Sequence, residues 1–463
     1  MRKRFTRLAF DADHLLFGVA RTPLKRRNVI IGGGAVLPEI KFTLPPTNIE
    51  ESAPGEIESV YAEIVTAVCE RAVHLHQSSL VVEFELLPPM TLDPAMGEAI
   101  TALLAGKLEE FRNSHGLQSL LRITPVDIRE QYKPPLRRSG REMELLFESF
   151  RRCAAAGADL LSIESTGGKE VTDPSIMAAD LRGILFGTAV LGCADMEYMW
   201  EAIVGIADES GTIAAGDTAC GIGNTAMVLA DQGYIPKVFA AVVRAITAVR
   251  SLVAYEIGAV GPGKDCGYEN AILKAITGLP MSMEGKSAAC AHLSPVGNIA
   301  GCYADLWSNE SVQNVKLLSG MAPVISMEQL IYDCRLMNTS ARNGESLRLR
   351  NWFAESDARL DPQAFILSPD VVVELGRVIV AESNDYQRGV AVGRKSVEIL
   401  HQAFSQGELQ LTDREQQWLE RIGETASELP SDPNLFVDEE KVRWREHVKY
   451  AEYGMVDVPA ETN

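Results

Sequence analysis

The strongest constraint on this chain is a repeated alternation of helical and strand periods that runs from about residue 56 to residue 335. Ile57, Val60, Tyr61, Ile64, Val65, Val68, Ala72 and Val73 fall on one helical stripe, and Leu80-Val81-Val82-Glu83-Phe84 then reads as a short buried strand. Further strands are expected at 119–124, 159–164, 184–191, 212–215, 251–255 and 281–284. Helices at 94–114, 141–156, 195–208, 223–232, 236–249 and 269–277 separate them, and a last pair of elements falls near 297–335. About eight such units argue a parallel sheet, and a closed (β/α)8 TIM barrel fits the count better than an open doubly wound sheet.

The flanks of this region read differently. Residues 15–50 are punctuated by Pro23, Gly32-Gly33-Gly34, Pro38 and Pro45-Pro46, which suggests an irregular N-terminal segment (1–50) wrapping a barrel that occupies 51–345. Beyond residue 345 the strand signal disappears, and 370–426 and 438–450 look helical, with turn-rich breaks at Pro369-Asp370 and 430–433. Residues 346–463 are therefore expected to form a helical C-terminal extension. No solenoid repeat and no low-complexity tract interrupts this pattern.

Composition excludes several classes of function. Apolar residues make up 46% and charged residues 23% of the 463, as in ordinary globular proteins. A formal charge of −19 disfavours binding to nucleic acid or anionic lipid. The apolar run at 183–194 is too short to cross a membrane, and 236–254 is interrupted by Lys237, Arg244 and Arg250, so no membrane span is expected. Arg2, Lys3, Arg4 and Arg7 precede no apolar targeting region, and Asp11 and Asp13 follow where a transit peptide avoids acids, which points to the cytoplasm. The eight cysteines are scattered without a CxxC pair, as expected of reduced thiols rather than a disulfide framework.

Two motifs nearly match nucleotide-binding loops. Gly221-Ile222-Gly223-Asn224-Thr225-Ala226 has the GxGxxA form, but it lies mid-chain and is followed by Pro236 and a helix instead of a strand ending in an acid. Gly258-Ala259-Val260-Gly261-Pro262-Gly263-Lys264-Asp265 is one residue from a P-loop, yet Asp265 would place a carboxylate where phosphate and magnesium need a hydroxyl. Both read as glycine-relieved turns after strands. There a ligand can approach the backbone closely.

In a barrel, active sites are built from the C-terminal ends of strands and the loops that follow. Three reactive side chains fall on such glycine-rich loops: Glu164 before Ser165-Thr166-Gly167-Gly168, Cys220 after Gly216-Asp217-Thr218-Ala219, and Cys266 within 261–267. Two thiolates and a carboxylate meeting above the barrel mouth can hold zinc with its fourth position open, the arrangement of a Lewis acid. The spacing matches no local zinc motif, so the pattern alone leaves this open beside unrelated loop cysteines. Cys69 and Cys153 lie on apolar helical stripes, and Cys193, Cys302 and Cys334 adjoin apolar runs, so core packing is expected for all five. Cys290-Ala291-His292 is the one Cys/His neighbourhood worth weighing, with a satisfied buried histidine as the simpler reading.

At these same loops the sequence resembles the zinc-containing subunit of methanol:corrinoid methyltransferase. The resemblance runs through residues 158–170 (ADLLSIESTGGKE), 211–227 (GTIAAGDTACGIGNTAM), 250–270 (RSLVAYEIGAVGPGKDCGYEN), 274–286 (KAITGLPMSMEGK) and 307–312 (WSNESV). It implies an eight-stranded β/α barrel with Glu164, Cys220 and Cys266 as zinc ligands. It also implies a reaction in which zinc acts on the methanol oxygen and the Co(I) of a separate corrinoid protein attacks the methyl carbon, and it implies a homodimer. Asp217, Asn224, Asp265, Glu284 and His292 share the same loops and are candidates for the substrate pocket or for supporting the ligands. The resemblance is weaker in the N-terminal segment and in 346–463, where the corrinoid protein's docking surface is not legible.

Three other readings stand beside methanol activation. The same zinc and Co(I) chemistry can act on a methyl ether, a methylamine, a methylthiol or a chlorinated methane. A zinc-dependent barrel lyase or hydrolase would turn over without corrinoid. A silent paralogue that only binds a partner would retain no catalysis, although all three ligands are present.

Overall fold

The computed structural model describes residues 2–44, 54–312, 316–317 and 320–457. A hairpin, β1 (Val19–Arg26) and β2 (Val29–Gly33), precedes the first strand of the main sheet, β3 (Leu37–Thr43). The main sheet continues with β4 (Ser79–Leu86), β5 (Gln118–Pro125), β6 (Leu160–Ser162), β7 (Ile213–Gly216), β8 (Ser282–Glu284) and β9 (Leu306–Val312). Its order is β7-β6-β5-β4-β3-β9-β8, and every pairing is parallel. Residues 260–263 join the two edge strands. The amides of Val260 and Gly261 donate to Ala214 and Ala215 at 2.9 Å each, Gly263 donates to Pro280 at 3.1 Å, and Gly263 bridges Met281. The seven-stranded sheet thus curls into a TIM-barrel-like ring of eight positions, with a glycine-rich segment as the eighth.

The alternation of side chains along each strand divides the barrel interior into layers. At the bottom, Leu37, Val81, Leu120, Leu160, Ala215 and Leu306 form a small apolar cluster that Leu24, Val29 and Ile31 of the hairpin close from below. Two residues further along the strands the interior turns polar. Arg122 donates from Nε to Glu39 at 2.8 Å and from Nη1 to the Ser162 hydroxyl at 2.9 Å, while Thr124 donates to Glu83 at 2.7 Å. The intervening residues, among them Ile40, Phe42, Val82, Phe84, Leu121 and Ile123, face the outer helices and belong to the main core.

Several sequence expectations need correction. Residues 15–50 were expected to be irregular, yet they contain the β1–β2 hairpin and β3, which pairs with both β4 and β9. The charged Glu39 and Lys41 disguise β3, because its inward positions are polar. Pro45-Pro46, and residues 458–463 of the expected C-terminal extension, lie outside the described residues. Residues 184–191, expected as a strand, form the end of helix Leu181–Leu185 and the wider-turned helix Phe186–Gly192. A short apolar run buried on nearly every side carries no period that separates strand from helix. Residues 251–255, also expected as a strand, are the last turns of helix Lys237–Ile257.

That helix is long and apolar enough to cross a membrane, but its apolar stretch is wholly buried within the molecule. Helix Asp385–Ser405 packs across it. Near its end Glu256 accepts from Arg2 Nε at 2.7 Å and from Arg388 Nη1 at 2.8 Å, and Arg2 Nη1 also reaches Asp385 at 2.7 Å. The basic N-terminus therefore ties the barrel to the C-terminal helices. Among the described residues from 346 onward the regular structure is helical, as expected.

Candidate metal centre

β6 ends at Ser162, and Glu164 follows two residues later, carried on the same inward side and bridged to Val126 beyond β5. β7 ends at Gly216, and four residues on Cys220 opens helix Cys220–Asp231. Cys266 lies in the loop after the barrel-closing segment. These three loops converge at the C-terminal mouth. The Cys266 thiol lies 3.1 Å from Glu164 Oε1 and the Cys220 thiol 3.2 Å from Glu164 Oε2, and one donor atom from each residue lies within 4.8 Å of the other two.

Two buried lysines back the carboxylate. Lys264 Nζ is 3.2 Å and Lys41 Nζ 3.4 Å from Glu164 Oε1. Burial disfavours the Glu164 carboxylate, but the two ammonium groups outweigh it and hold its pKa well below the usual range. Burial, together with the neighbouring Cys220 and Glu164, pushes the Cys266 thiol up. For Cys220 a hydrogen bond with Cys266 works downward, but burial and Glu164 prevail and raise it. Without a cation the site therefore holds a carboxylate and two thiols. A divalent metal would displace the thiol protons, as thiolate ligation requires.

The lysines have other partners. Lys264 is paired with Glu83 at 3.0 Å and with Asp265, which also accepts from the Ser308 hydroxyl at 3.1 Å. Lys41 reaches Glu85 at 3.1 Å and Glu310 at 3.8 Å. The three candidate ligands open onto a cavity of about 490 Å³, lined also by Lys41, Glu85, Asn224, Val228, His292 and Glu310.

One carboxylate and two sulfurs suit a borderline-soft ion such as zinc, and three protein donors facing a cavity leave a position for substrate. The donor set thus fits the metal that the sequence resemblance implies.

A family model described as methanol-cobalamin methyltransferase B subunit matches residues 2–454. The chain belongs to this family. The methanol–corrinoid protein co-methyltransferase of Methanosarcina barkeri (strain Fusaro / DSM 804) is 39% identical over 455 residues, covering 96% of this chain and 97% of that protein. The crystal structure of the methanol:cobalamin methyltransferase complex MtaBC from Methanosarcina barkeri contains a chain that superposes with a TM-score of 0.94 at 37% identity. That match covers 98% of this chain and 100% of the other.

In this member of the family the five further candidates separate into distinct positions. Asn224 and His292 line the cavity. Asn224 accepts from Arg244 at 2.8 Å and donates to the Cys266 carbonyl at 3.1 Å, tying the Cys220 helix to the Cys266 loop. Asp217 lies away from the cavity as a buried tie. It accepts from the Ser165 amide at 3.0 Å, the Ser165 hydroxyl at 2.6 Å, the Thr218 amide at 2.7 Å and Trp200 Nε1 at 2.9 Å, which joins the Glu164 loop to the Cys220 loop. Asp265 and Glu284 are buried behind the wall, against Lys264 and His292 respectively.

Sequence reasoning passed over Lys41, Lys264, Glu85 and Glu310. Charged residues at alternate positions of otherwise apolar strands, as in Glu83 and Glu85 of β4, were the available signal. Of the eight cysteines, Cys69, Cys153, Cys193, Cys302 and Cys334 are buried, and Cys290 is exposed. The GxGxxA stretch forms the first turns of helix Cys220–Asp231, and the near-P-loop spans the barrel closure and the start of the Cys266 loop.

Proposed function

We propose that this chain transfers the methyl group of methanol to the Co(I) of a corrinoid carried by a separate protein, with zinc held by Glu164, Cys220 and Cys266. The observation that carries the reading is the meeting of these three donors at the mouth of the barrel, facing one open cavity, in a chain of this family. When bound, zinc supplies Lewis acidity to the methanol oxygen, so that a very poor leaving group can depart without a strong acid that would also protonate Co(I).

The protein's own groups prepare that chemistry. Lys41 and Lys264 keep Glu164 ionised, so the carboxylate is ready as a hard donor. Lys264 Nζ lies 3.9 Å from the Cys266 sulfur and favours its thiolate. Two thiolates would reduce the effective charge of a bound ion, and the Glu164 carboxylate would be its harder, more adaptable ligand. Val228 and Leu229 give one side of the cavity an apolar wall where a methyl group can rest against carbon.

Zinc-loaded protein mixed anaerobically with Co(I) corrinoid protein and methanol should lose the Co(I) absorbance and gain that of methyl-Co(III). Cys220→Ala and Cys266→Ala should abolish the change and weaken metal binding. A Glu164→Gln variant with full zinc and full turnover would remove the special role of the carboxylate. Failure with methanol alongside transfer from a methyl ether, methylamine, methylthiol or chloromethane would reassign the donor, and turnover without corrinoid would point to a lyase or hydrolase.

A further inference from the structure

Methyl transfer from methanol has a proton requirement that the three candidate ligands do not meet. The carbon–oxygen bond breaks with its electron pair going to oxygen, and the Co(I) electron pair forms the carbon–cobalt bond, leaving Co(III). For the oxygen to leave as water, one proton must reach it per turnover. The cavity wall must therefore contain, or be connected to, a group that gives up a proton and recovers it from solvent.

We propose that His292 is this proton donor, acting from Nε2 on the oxygen that leaves methanol. The assignment rests on the proposed methyl transfer. His292 lines the same cavity as Glu164, Cys220 and Cys266, and its side chain is 33% exposed, so it can be recharged from outside. Its Nδ1 lies 3.1 Å from Glu284 Oε1, and Glu284 in turn accepts from the Tyr268 hydroxyl at 2.7 Å. A carboxylate on Nδ1 fixes the ring orientation and assigns the other nitrogen to the cavity, the same division that orients catalytic histidines elsewhere. Nε2 lies 3.7 Å from Glu310, which is also 3.8 Å from Lys41.

The groups acting on this ring are Glu284 from β8, Glu310 from β9 and Lys41 from β3; Tyr268, whose ring lies under Arg244 at 5.0 Å, is linked to it through Glu284. The hydrogen bond with Glu284 raises the imidazole pKa to about 9 against the opposing effect of burial, so the acid form prevails at neutral pH. The other cavity groups serve less well. Lys41 is paired with Glu85, Glu164 and Glu310 and holds its proton far above the neutral range. Burial brings Glu85 up to about 7, but its carboxylate is closed by the 3.1 Å pair with Lys41.

The test uses the full chain loaded with metal, methylating Co(I) corrinoid protein in single turnovers across pH, alongside ¹⁵N-histidine NMR titration of the same protein. The wild-type rate should fall along an alkaline limb that coincides with the His292 titration. His292→Gln should slow methylation at pH 7 on the order of 10²-fold and lose that limb, with bound metal and methanol KM unchanged. Added imidazole should restore part of the rate in His292→Gly. Glu284→Gln, which keeps the histidine, should move both the NMR titration and the rate limb to lower pH. An unchanged pH profile in His292→Gln, or a limb that disappears instead in Glu85→Gln, would overturn the assignment. If the wild-type protein methylates nothing, the proposed function fails first; if it methylates and these variants behave as wild type, only the role of His292 fails.

Discussion

Asp217 offers the sharpest test of how the fold holds the candidate metal centre together. It reaches neither the cavity nor the candidate ligands, yet its buried carboxylate accepts from the amides of Ser165 and Thr218 and from Trp200 Nε1. Ser165 adjoins Glu164, and Thr218 lies two residues before Cys220. Arg250 supports the same corner by donating to the Ser165 carbonyl at 2.7 Å and to the Thr218 carbonyl at 3.3 Å. In Asp217→Ala these three N–H donors lose their acceptor in the interior, at about 1–3 kcal/mol each. Water entering the vacated volume recovers part of this, so a net loss of about 3–5 kcal/mol is expected. The loosened loops should also weaken metal binding by roughly 10–100-fold, the usual effect of removing a group that orients ligands. Denaturant unfolding of the metal-free chain measures the first quantity, and zinc titration against a chelator measures the second. Asp217→Asn, which keeps one acceptor oxygen, should fall between. Wild-type metal affinity in Asp217→Ala would refute the claim that this carboxylate sets the spacing of Glu164 and Cys220.

Other consequences can be checked separately. Lys264→Met leaves the fully buried Glu83 and Asp265 without their shared cation and should cost about 3–5 kcal/mol in denaturant unfolding, partly recovered by adding Asp265→Asn. Burial works against the Asp127 carboxylate, but the Arg129 charge and hydrogen bonds outweigh it and hold its pKa below the usual carboxylate range. A group whose pKa is depressed on folding contributes stability that is full above its unfolded value of about 3.9 and is lost as pH falls through the folded value. Unfolding midpoints measured from about pH 7 down to about pH 3 should therefore decline more steeply in the wild-type protein than in Asp127→Asn.

The elements that carry Glu164 and Cys220 were legible because each pairs a short apolar run with a glycine-rich loop, as in 160–164 and 213–220. The eighth barrel position was not. It is filled by residues 260–263, whose glycines and proline give no strand signal, while the strand-like 251–255 continues helix Lys237–Ile257. That helix is buried along almost its whole length, between other helices and the barrel, and such burial removes the polar face by which a helix is recognised. β3 was missed for the opposite reason. Its inward Glu39 and Lys41 look like surface residues until Arg122 and the carboxylates around the mouth supply their partners. The candidate thiol and carboxylate donors could be named from loop position and resemblance. The lysines that keep Glu164 charged, and the Tyr268–Glu284–His292 chain, come from three or more distant segments and emerge only in the folded molecule.

The most direct measurement is X-ray absorption at the zinc edge of the loaded protein. Two sulfur ligands at about 2.3 Å and two oxygen ligands at about 2.0–2.2 Å are expected, one oxygen from Glu164 and one exchangeable. Cys220→Ala should leave at most a single sulfur. A centre with four sulfurs, with none, or with an unchanged spectrum in Cys220→Ala would contradict the assignment of Glu164, Cys220 and Cys266 as an open metal site.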